Sequence, residues 1–291
     1  MYHQEYKYLS LIKHVLQRGE LIKGRNGNVL STFGYTMRYN LRNNTFPLLT
    51  TKKMAWKTCI NELLWFLRGD TDNRILKSKN IHIWNGNGTR SFLDSRGLFH
   101  YKEDDLGPIY GFQWRNFGGD YISCDKKYDK NGVDQLQHVI NQLSNPQTRN
   151  SRRLIVSAWN PLQLHLMALP PCHVLFQFHV NQKEELSCSL YQRSGDVGLG
   201  VPFNIASYSA LTILLAKHCG LLPGMFIHNL GDVHIYENHI KPLEEQINRN
   251  PYKSPTLHIK QKKDCIDDYE IDDFILNDYF HHPKIKMDMI V

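Results

Sequence analysis

The sequence predicts an α+β protein built as a single domain. The expected architecture is a mixed, mainly antiparallel sheet packed on a long apolar helix, with the second sheet face buried in a dimer. Three observations predict it. The second half of the chain is dense in short β-branched and aromatic runs, at 153–159, 174–180 and 186–192. Residues 203–219 are apolar almost throughout and too long for a strand, so they read as a buried helix. Finally, the run at 174–180 is apolar at intervening as well as alternate positions, which implies cover on both sheet faces. The chain has too few helices to supply both covers, and a second subunit is the natural one. No linker, repeat or low-complexity block divides residues 1–291.

The elements follow in order. Leu9, Ile12, Val15 and Leu16 recur at helical spacing and predict an amphipathic helix over 3–18. Gly24 to Asn28 reads as a flexible loop carrying Arg25, and 29–41 has strand character. Residues 54–67 are apolar nearly all round, which predicts a buried helix ended by Gly69, with Asp70 to Asp72 as caps for a short next one. Residues 86–132, rich in Gly, Asp, Asn and Tyr, read as surface loops. Val133, Leu136, Val139, Ile140 and Leu143 mark another amphipathic helix, stopped at Asn145-Pro146. Pro202 sits near the first turn of the long apolar helix and Gly220 just past its end. Short strands are expected at 225–229 and 233–236, a helix over 236–248, and a final strand at 256–260.

Composition narrows the function classes. The formal charge is +7, with the basic residues scattered. This is a mild field that favours anionic partners, nucleotides and folates among them, and not a nucleic-acid stripe. The six cysteines form no C-x-x-C pair, so neither a metal nor a redox motif is expected, and free thiols suit a reducing compartment. The residues Met1 to Glu5 lack a leader pattern, and no apolar run approaches the ~20 residues needed to span a membrane. A soluble, cytoplasmic protein is expected.

Cys172 follows Pro170-Pro171 on a rigid turn and precedes His173, with Gln192-Arg193-Ser194-Gly195-Asp196 downstream. A free thiol is only about 3% thiolate at neutral pH, and a nearby guanidinium raises that fraction. A small buried hydrophobe is the alternative for a lone cysteine. Arg25, Arg152, Arg153 and Arg193 stand in loops where nothing apolar needs them. They read either as solvated charge or as donors to a phosphate, each worth roughly 1.5–3 kcal/mol. Glu62 lies among Leu63, Leu64, Trp65 and Phe66, so it either faces water or is buried and shuttles protons near neutrality. Asn204 is either an ordinary helix-start amide or a donor–acceptor pair matching the O4/N3–H edge of uracil. His234 and Tyr236 share a strand face, as packing or as a clasp on a sugar hydroxyl. Trp84 and Tyr110 are either core aromatics or stacking platforms for a flat heterocycle.

These segments resemble the thymidylate synthase family over nearly the whole chain, from about residue 6 to 291. The resemblance rests on Phe46-Pro47-Leu48-Leu49-Thr50-Thr51-Lys52, Glu62-Leu63-Leu64-Trp65-Phe66-Leu67 and Asp105-Leu106-Gly107-Pro108-Ile109-Tyr110-Gly111. It continues through Ser151-Arg152-Arg153, Met167-Ala168-Leu169-Pro170-Pro171-Cys172-His173, Gln192-Arg193-Ser194-Gly195-Asp196 and Phe203-Asn204-Ile205-Ala206-Ser207-Tyr208. The resemblance implies a homodimeric, cytoplasmic methyltransferase of dTMP biosynthesis. It would convert dUMP and 5,10-methylenetetrahydrofolate to dTMP and dihydrofolate by covalent catalysis, the folate being both carbon and hydride donor, with no metal. Cys172 would add to C6 of the pyrimidine. Glu62, Tyr110 and water would manage protons, and Asn204 and Arg193 would complete the catalytic set. Arg25, Arg193 and Ser194 would hold the phosphate, with Arg152 and Arg153 lent by the other subunit. His173, Gln192, Gly195 and Asp196 would line the nucleotide, while His234 and Tyr236, with Ile235 between them, would bind the deoxyribose. Trp84, Asp196, Leu199, Phe203, Lys52 and Ile290 would face the folate, and Met289-Ile290-Val291 would close over the site. Ile290 departs from the family, where alanine is common.

Two rivals are set beside this reading. A pyrimidine-nucleotide hydroxymethylase on the same fold would pass the one-carbon unit to water. Its cytosine-specific form favours a carboxylate at position 204, where this chain has Asn204. A regulatory RNA-binding role for the basic surface would leave the Cys172 constellation without purpose, and no sequence feature supports it.

Overall fold

The computed structural model describes residues 3–24, 27–128 and 131–289. The chain opens with α1 (Tyr6–Arg18), whose Tyr8, Leu9, Leu11, Ile12 and Val15 are buried, as the helical spacing requires. The strands β1 (Glu20–Gly24) and β2 (Gly27–Asn40) follow. Then come α2 (Trp56–Leu67), α3 (Asn73–Ser78), α4 (Asn85–Gly88), α5 (Arg90–Ser95), α6 (Tyr110–Asn116) and α7 (Gln135–Ser144). The second half runs β3 (Ile155–Ser157), β4 (His173–Val180), β5 (Glu185–Asp196), α8 (Gly200–His218), β6 (Leu222–Tyr236) and α9 (Ile240–Gln246), and ends with β7 (Thr256–Ile259) and β8 (Phe274–Asn277). Six strands form one sheet in the order β1-β2-β6-β5-β4-β3. Every neighbouring pair is antiparallel except β5 and β6, so the sheet is mixed and mainly antiparallel. The strands β7 and β8 pair separately.

The helix α8 lies against β5 and β6 on one side and against α2 and β7 on another. That position explains why it is apolar all round: nearly every residue from Val201 to Ala216 is buried. Gly220, just past its end, takes the left-handed conformation (φ +71°) that a side chain rarely adopts. One contiguous core joins α1, α2, α8 and the inner face of the sheet. On that face Phe176 and Phe178 of β4, Leu186, Cys188 and Leu190 of β5, and Phe226, Leu230 and Val233 of β6 are buried. The opposite face leaves Ile155 and Tyr191 exposed.

Several elements differ from the sequence-based expectation. The region 86–132 is not all loop. It carries α4, α5 and α6, and Tyr110, Phe112, Gln113 and Trp114 of α6 are buried. Helices of four to seven residues are too short for an apolar period to emerge. The two strands expected at 225–229 and 233–236 are one strand, β6. Gly231 reads as a break, but the strand needs a glycine there: a Cβ would come within 2.9 Å of the Arg193 carbonyl oxygen on β5. The helix expected over 236–248 is a 3₁₀ turn, Glu237–His239, followed by α9. The strand at 256 is not final, because β8 comes after it and pairs with it. The strand β1 was not expected at all.

Candidate active site

The turn that carries Cys172 is clamped by Arg193. The Arg193 backbone N–H donates to the Cys172 carbonyl (2.9 Å). Its Nε and Nη2 donate to the carbonyls of Pro171 (2.9 Å) and Pro170 (3.0 Å), and the guanidinium lies 5.5 Å from the Trp159 ring centre. The two proline carbonyls are acceptors, and a planar guanidinium supplies donors to both at once. The Cys172 N–H donates to the Tyr110 hydroxyl oxygen (2.7 Å). Burial pushes the Cys172 thiol up, while Arg193 and Tyr110 pull it down; Arg193 thus favours the thiolate, in the direction expected of a nearby guanidinium, but burial prevails.

Beside the thiol stands a chain of neutral polar groups. His228, fully buried on β6, donates through Nε2 to Gln192 Oε1 (2.8 Å). Gln192 Nε2 donates to the Ser194 carbonyl (2.8 Å) and to Asn204 Oδ1 (2.9 Å). Asn204 Nδ2 in turn donates to His173 Nε2 (2.7 Å). Burial holds His173 down to about 4 and His228 down to about 3, so both rings are neutral. The direction of the chain is set by a group that cannot flip, the Ser194 backbone carbonyl. It fixes the Gln192 amide, which fixes which end of Asn204 is donor and which acceptor.

Glu62 projects from α2 into a largely apolar surround. Trp84 Nε1 donates to it (2.8 Å). Burial pushes its carboxyl up to about 7, and the Trp84 bond offsets only part of that. Tyr110 packs 6.2 Å from Trp84 and 5.0 Å from His173, between ring centres, so Glu62, Trp84, Tyr110, His173 and Cys172 form one continuous wall. On β6, His234 and Tyr236 do share a face, with ring centres 5.3 Å apart. Asp232 Oδ1 lies 2.6 Å from His234 Nδ1, and Asp232 Oδ2 accepts from Ser31 Oγ (2.7 Å), which fixes the imidazole orientation. Ile235 points the other way and is fully buried, so its side chain belongs to the core and only its backbone can reach a ligand.

The third part is the turn from Asp196 to Gly200. Asp196 accepts from the backbone N–H groups of Gly198 (2.9 Å), Leu199 (3.2 Å) and Gly200 (3.3 Å), which caps α8. Burial pushes the Asp196 carboxyl up, but His239 and the Gly198 N–H outweigh it and hold it below the usual range. Lys52 is buried and donates to the Gly198 carbonyl (2.7 Å). Burial brings its ammonium down to about 8 against the pull of Asp196 and Glu5. Leu199 and Phe203 stay partly exposed one helical turn apart.

The structure therefore brings together Cys172, Tyr110, Arg193, His173, Gln192 and Asn204, and separately Lys52, Asp196 and Leu199. It does not bring Arg152 and Arg153 to the thiol of their own chain. Ile155 on β3 faces Gln177 on β4, so these arginines sit about 20 Å along the strand from Cys172. Arg25, Ile290 and Val291 lie outside the described residues. Among the described residues, Asp72, Cys124 and Asp125 form one group with cation-ligand spacing, but Arg74 already bonds both carboxylates. Trp159, His228 and His239 also contact this group, through Arg193, Gln192 and Asp196 respectively, without a motif that marks them. His228 was detectable as a polar residue at a core phase of β6, between Phe226 and Leu230. His239 sits in a polar run that gives no such sign.

The chain as a whole is similar to known proteins. The family profile described as thymidylate synthase matches residues 6–291. The thymidylate synthase of Homo sapiens is 53% identical over 99% of this chain and 91% of its own length. The bifunctional dihydrofolate reductase-thymidylate synthase of Leishmania major is also 53% identical, over 99% of this chain and 56% of its own. A second such enzyme, from Arabidopsis thaliana, is 52% identical over 99% of this chain and 51% of its own. The chain thus spans about half the length of these bifunctional relatives.

Proposed function

The chain belongs to the thymidylate synthase family, and from that premise we propose that it converts dUMP and 5,10-methylenetetrahydrofolate to dTMP and dihydrofolate. The observation that carries the reading is the Cys172 turn clamped by Arg193 and flanked by the oriented Asn204 amide. Cys172 is the nucleophile: its sulfur adds to C6 of the pyrimidine and leaves C5 electron-rich. Folate supplies the one-carbon unit and the hydride that together become the methyl group. The Asn204 amide, its ends fixed through Gln192, reads the uracil O4/N3–H edge. Glu62, neutral below about pH 7, can donate or relay a proton near C5 and O4, with Tyr110 beside the sulfur. Arg193 commits two N–H groups to the proline carbonyls, and its remaining donors serve the phosphate together with Ser194 and Arg25. His234 and Tyr236 meet the deoxyribose. Partly exposed Leu199 and Phe203 beside the ionised Asp196 suit a flat heterocycle with a polar edge, with Trp84, Lys52 and Ile290 completing the folate side. No metal enters these steps.

The test is incubation with dUMP and methylenetetrahydrofolate, following dihydrofolate absorbance and identifying the product. Formation of 5-hydroxymethyl-dUMP with tetrahydrofolate would overturn the reading. We also propose a homodimer formed through the open sheet face, with Arg152 and Arg153 serving the partner's phosphate site. Their distance from Cys172 of the same chain supports this. The Arg152→Ala/Arg153→Ala double variant and Cys172→Ala are each expected to be inactive. Mixed, they should recover activity approaching about a quarter of wild type, from random pairing in a twofold dimer. No recovery despite verified subunit exchange argues for self-contained sites.

A further inference from the structure

His239 is fully buried and faces two hydrogen-bond acceptors with one imidazole. Its Nε2 lies 2.8 Å from the Asp288 carbonyl oxygen in the C-terminal segment. Its Nδ1 lies 3.7 Å from Asp196 Oδ1, within ion-pair reach, and has no hydrogen-bond partner among the described residues. Neither acceptor can donate. A neutral imidazole has one N–H and one lone pair, so either tautomer would aim a lone pair at an oxygen in a site shielded from water. The packing is close: a Cβ added to Gly198 would come within 2.5 Å of His239 Nδ1 and 3.1 Å of the Met287 sulfur.

We propose that His239 is a positioning residue that, with both ring nitrogens protonated, clasps the C-terminal segment to the Asp196–Gly200 turn. It thereby holds residues 287–288 beside the turn assigned to the folate side. That last link rests on the function proposed above, whereas the clasp itself rests on geometry alone. The groups facing the ring are the Asp196 carboxylate from β5, the Lys52 ammonium ahead of α2, the Tyr236 ring from β6, and the backbone at 287–288. Burial and Lys52 oppose the charge. Asp196 and the Asp288 carbonyl favour it and prevail, so the folded-state value lies above the ordinary 6.5. The clasp is therefore complete at and below the unfolded imidazole's range and is lost as pH climbs through the raised folded value.

The test uses the full chain without folate. Nitrogen-15 spectra of the histidine rings should show His239 with both nitrogens protonated at about pH 7. In His239→Gln, amide exchange in residues 284–289 should be roughly tenfold faster than wild type near pH 6.5. The ratio of variant to wild type should approach one near pH 9, since intrinsic exchange cancels in it. A neutral single-tautomer ring at pH 7, or a ratio independent of pH, overturns the clasp. The nitrogen-15 measurement stands even if the variant folds poorly. A chain inactive on dUMP but carrying the imidazolium signature overturns the function and leaves the clasp in place.

Discussion

Two partly buried carboxyl groups, Glu62 on α2 and Asp196 at the end of β5, sit in different charge states near neutral pH, the first poised between neutral and ionised and the second ionised. Among the described residues Glu62 meets one donor, the Trp84 indole, and no cation, so burial prevails and its carboxyl rises to about 7. Asp196 meets three backbone N–H groups at the start of α8 and the His239 ring, and these hold it below the usual range. Burial is common to both, so burial alone does not decide charge. The number and sign of the partners do. Glu62 can thus exchange a proton near neutrality, while Asp196 keeps its charge. Cys172 stands between these cases, raised by burial and drawn back in part by Arg193.

The largest effect expected comes from removing the thiol. Cys172→Ala should lower turnover by about 10⁵-fold or more, because nothing else on the wall can form the covalent bond. It should leave dUMP binding within a few-fold of wild type, measured by calorimetry, since phosphate, sugar and base contacts stay. Near-normal dTMP formation would end the nucleophile assignment and remove the thiol from the comparison.

The same contrast separates what was legible in the sequence from what was not. The mixed sheet, α2, α7 and α8 could be read because each carries a period or a continuous apolar run long enough to show. The residues 86–132 could not, because short helices there are held by tertiary contacts of Tyr110 and Trp114. Cys172, Arg193, Asn204 and Glu62 were legible as polar groups in apolar surroundings or beside a proline turn. What the sequence did not give was the balance at each group. The spacing of Cys172 and Arg193 signals their proximity, whereas the burial that outweighs the guanidinium is set by residues distant in sequence. Glu62 was left open between water and burial, and only its three-dimensional setting decides. His228 and His239 matter through contacts with residues 36 and 49 positions away, which no local pattern encodes.

A second perturbation puts a carboxylate where the wall is neutral. Asn204→Asp would face Gln192 Nε2 as an acceptor and accept from His173 Nε2 once that ring carries a proton there, either as the other neutral tautomer or as the imidazolium that burial now resists and a carboxylate would favour. The cytosine edge offers the donor that uracil lacks. The ratio of kcat/KM for dUMP to that for dCMP should therefore fall by roughly 10³-fold, as for other sites that read hydrogen-bond polarity. The His173 midpoint should rise from about 4, read by NMR. An unchanged substrate ratio in competition would count against the base-reading role of Asn204.

Glu62→Gln gives the smallest rate effect and the sharpest test of the two-carboxylate contrast. A glutamine keeps the shape and accepts from Trp84 but cannot pass a proton, so kcat should fall by about 10²-fold. Any limb of the wild-type pH profile near 7 should vanish with it. Stability should move the other way. The Glu62 value is raised from an ordinary 4.5 to about 7, so ionisation favours the unfolded chain, and the cost grows as pH climbs from 4.5 and levels off above 7. Glutamine removes that cost and should stabilise the protein at pH 8 by on the order of 2 kcal/mol, with little change at pH 4. At Asp196 the sign reverses. Its carboxyl is held below the usual range, so Asp196→Asn should destabilise at neutral pH, with the difference fading as pH falls through the acid range. Denaturant melts of both variants at pH 4 and pH 8 decide the matter. If both change stability in the same direction at pH 8, partner count does not explain the difference between these two buried acids.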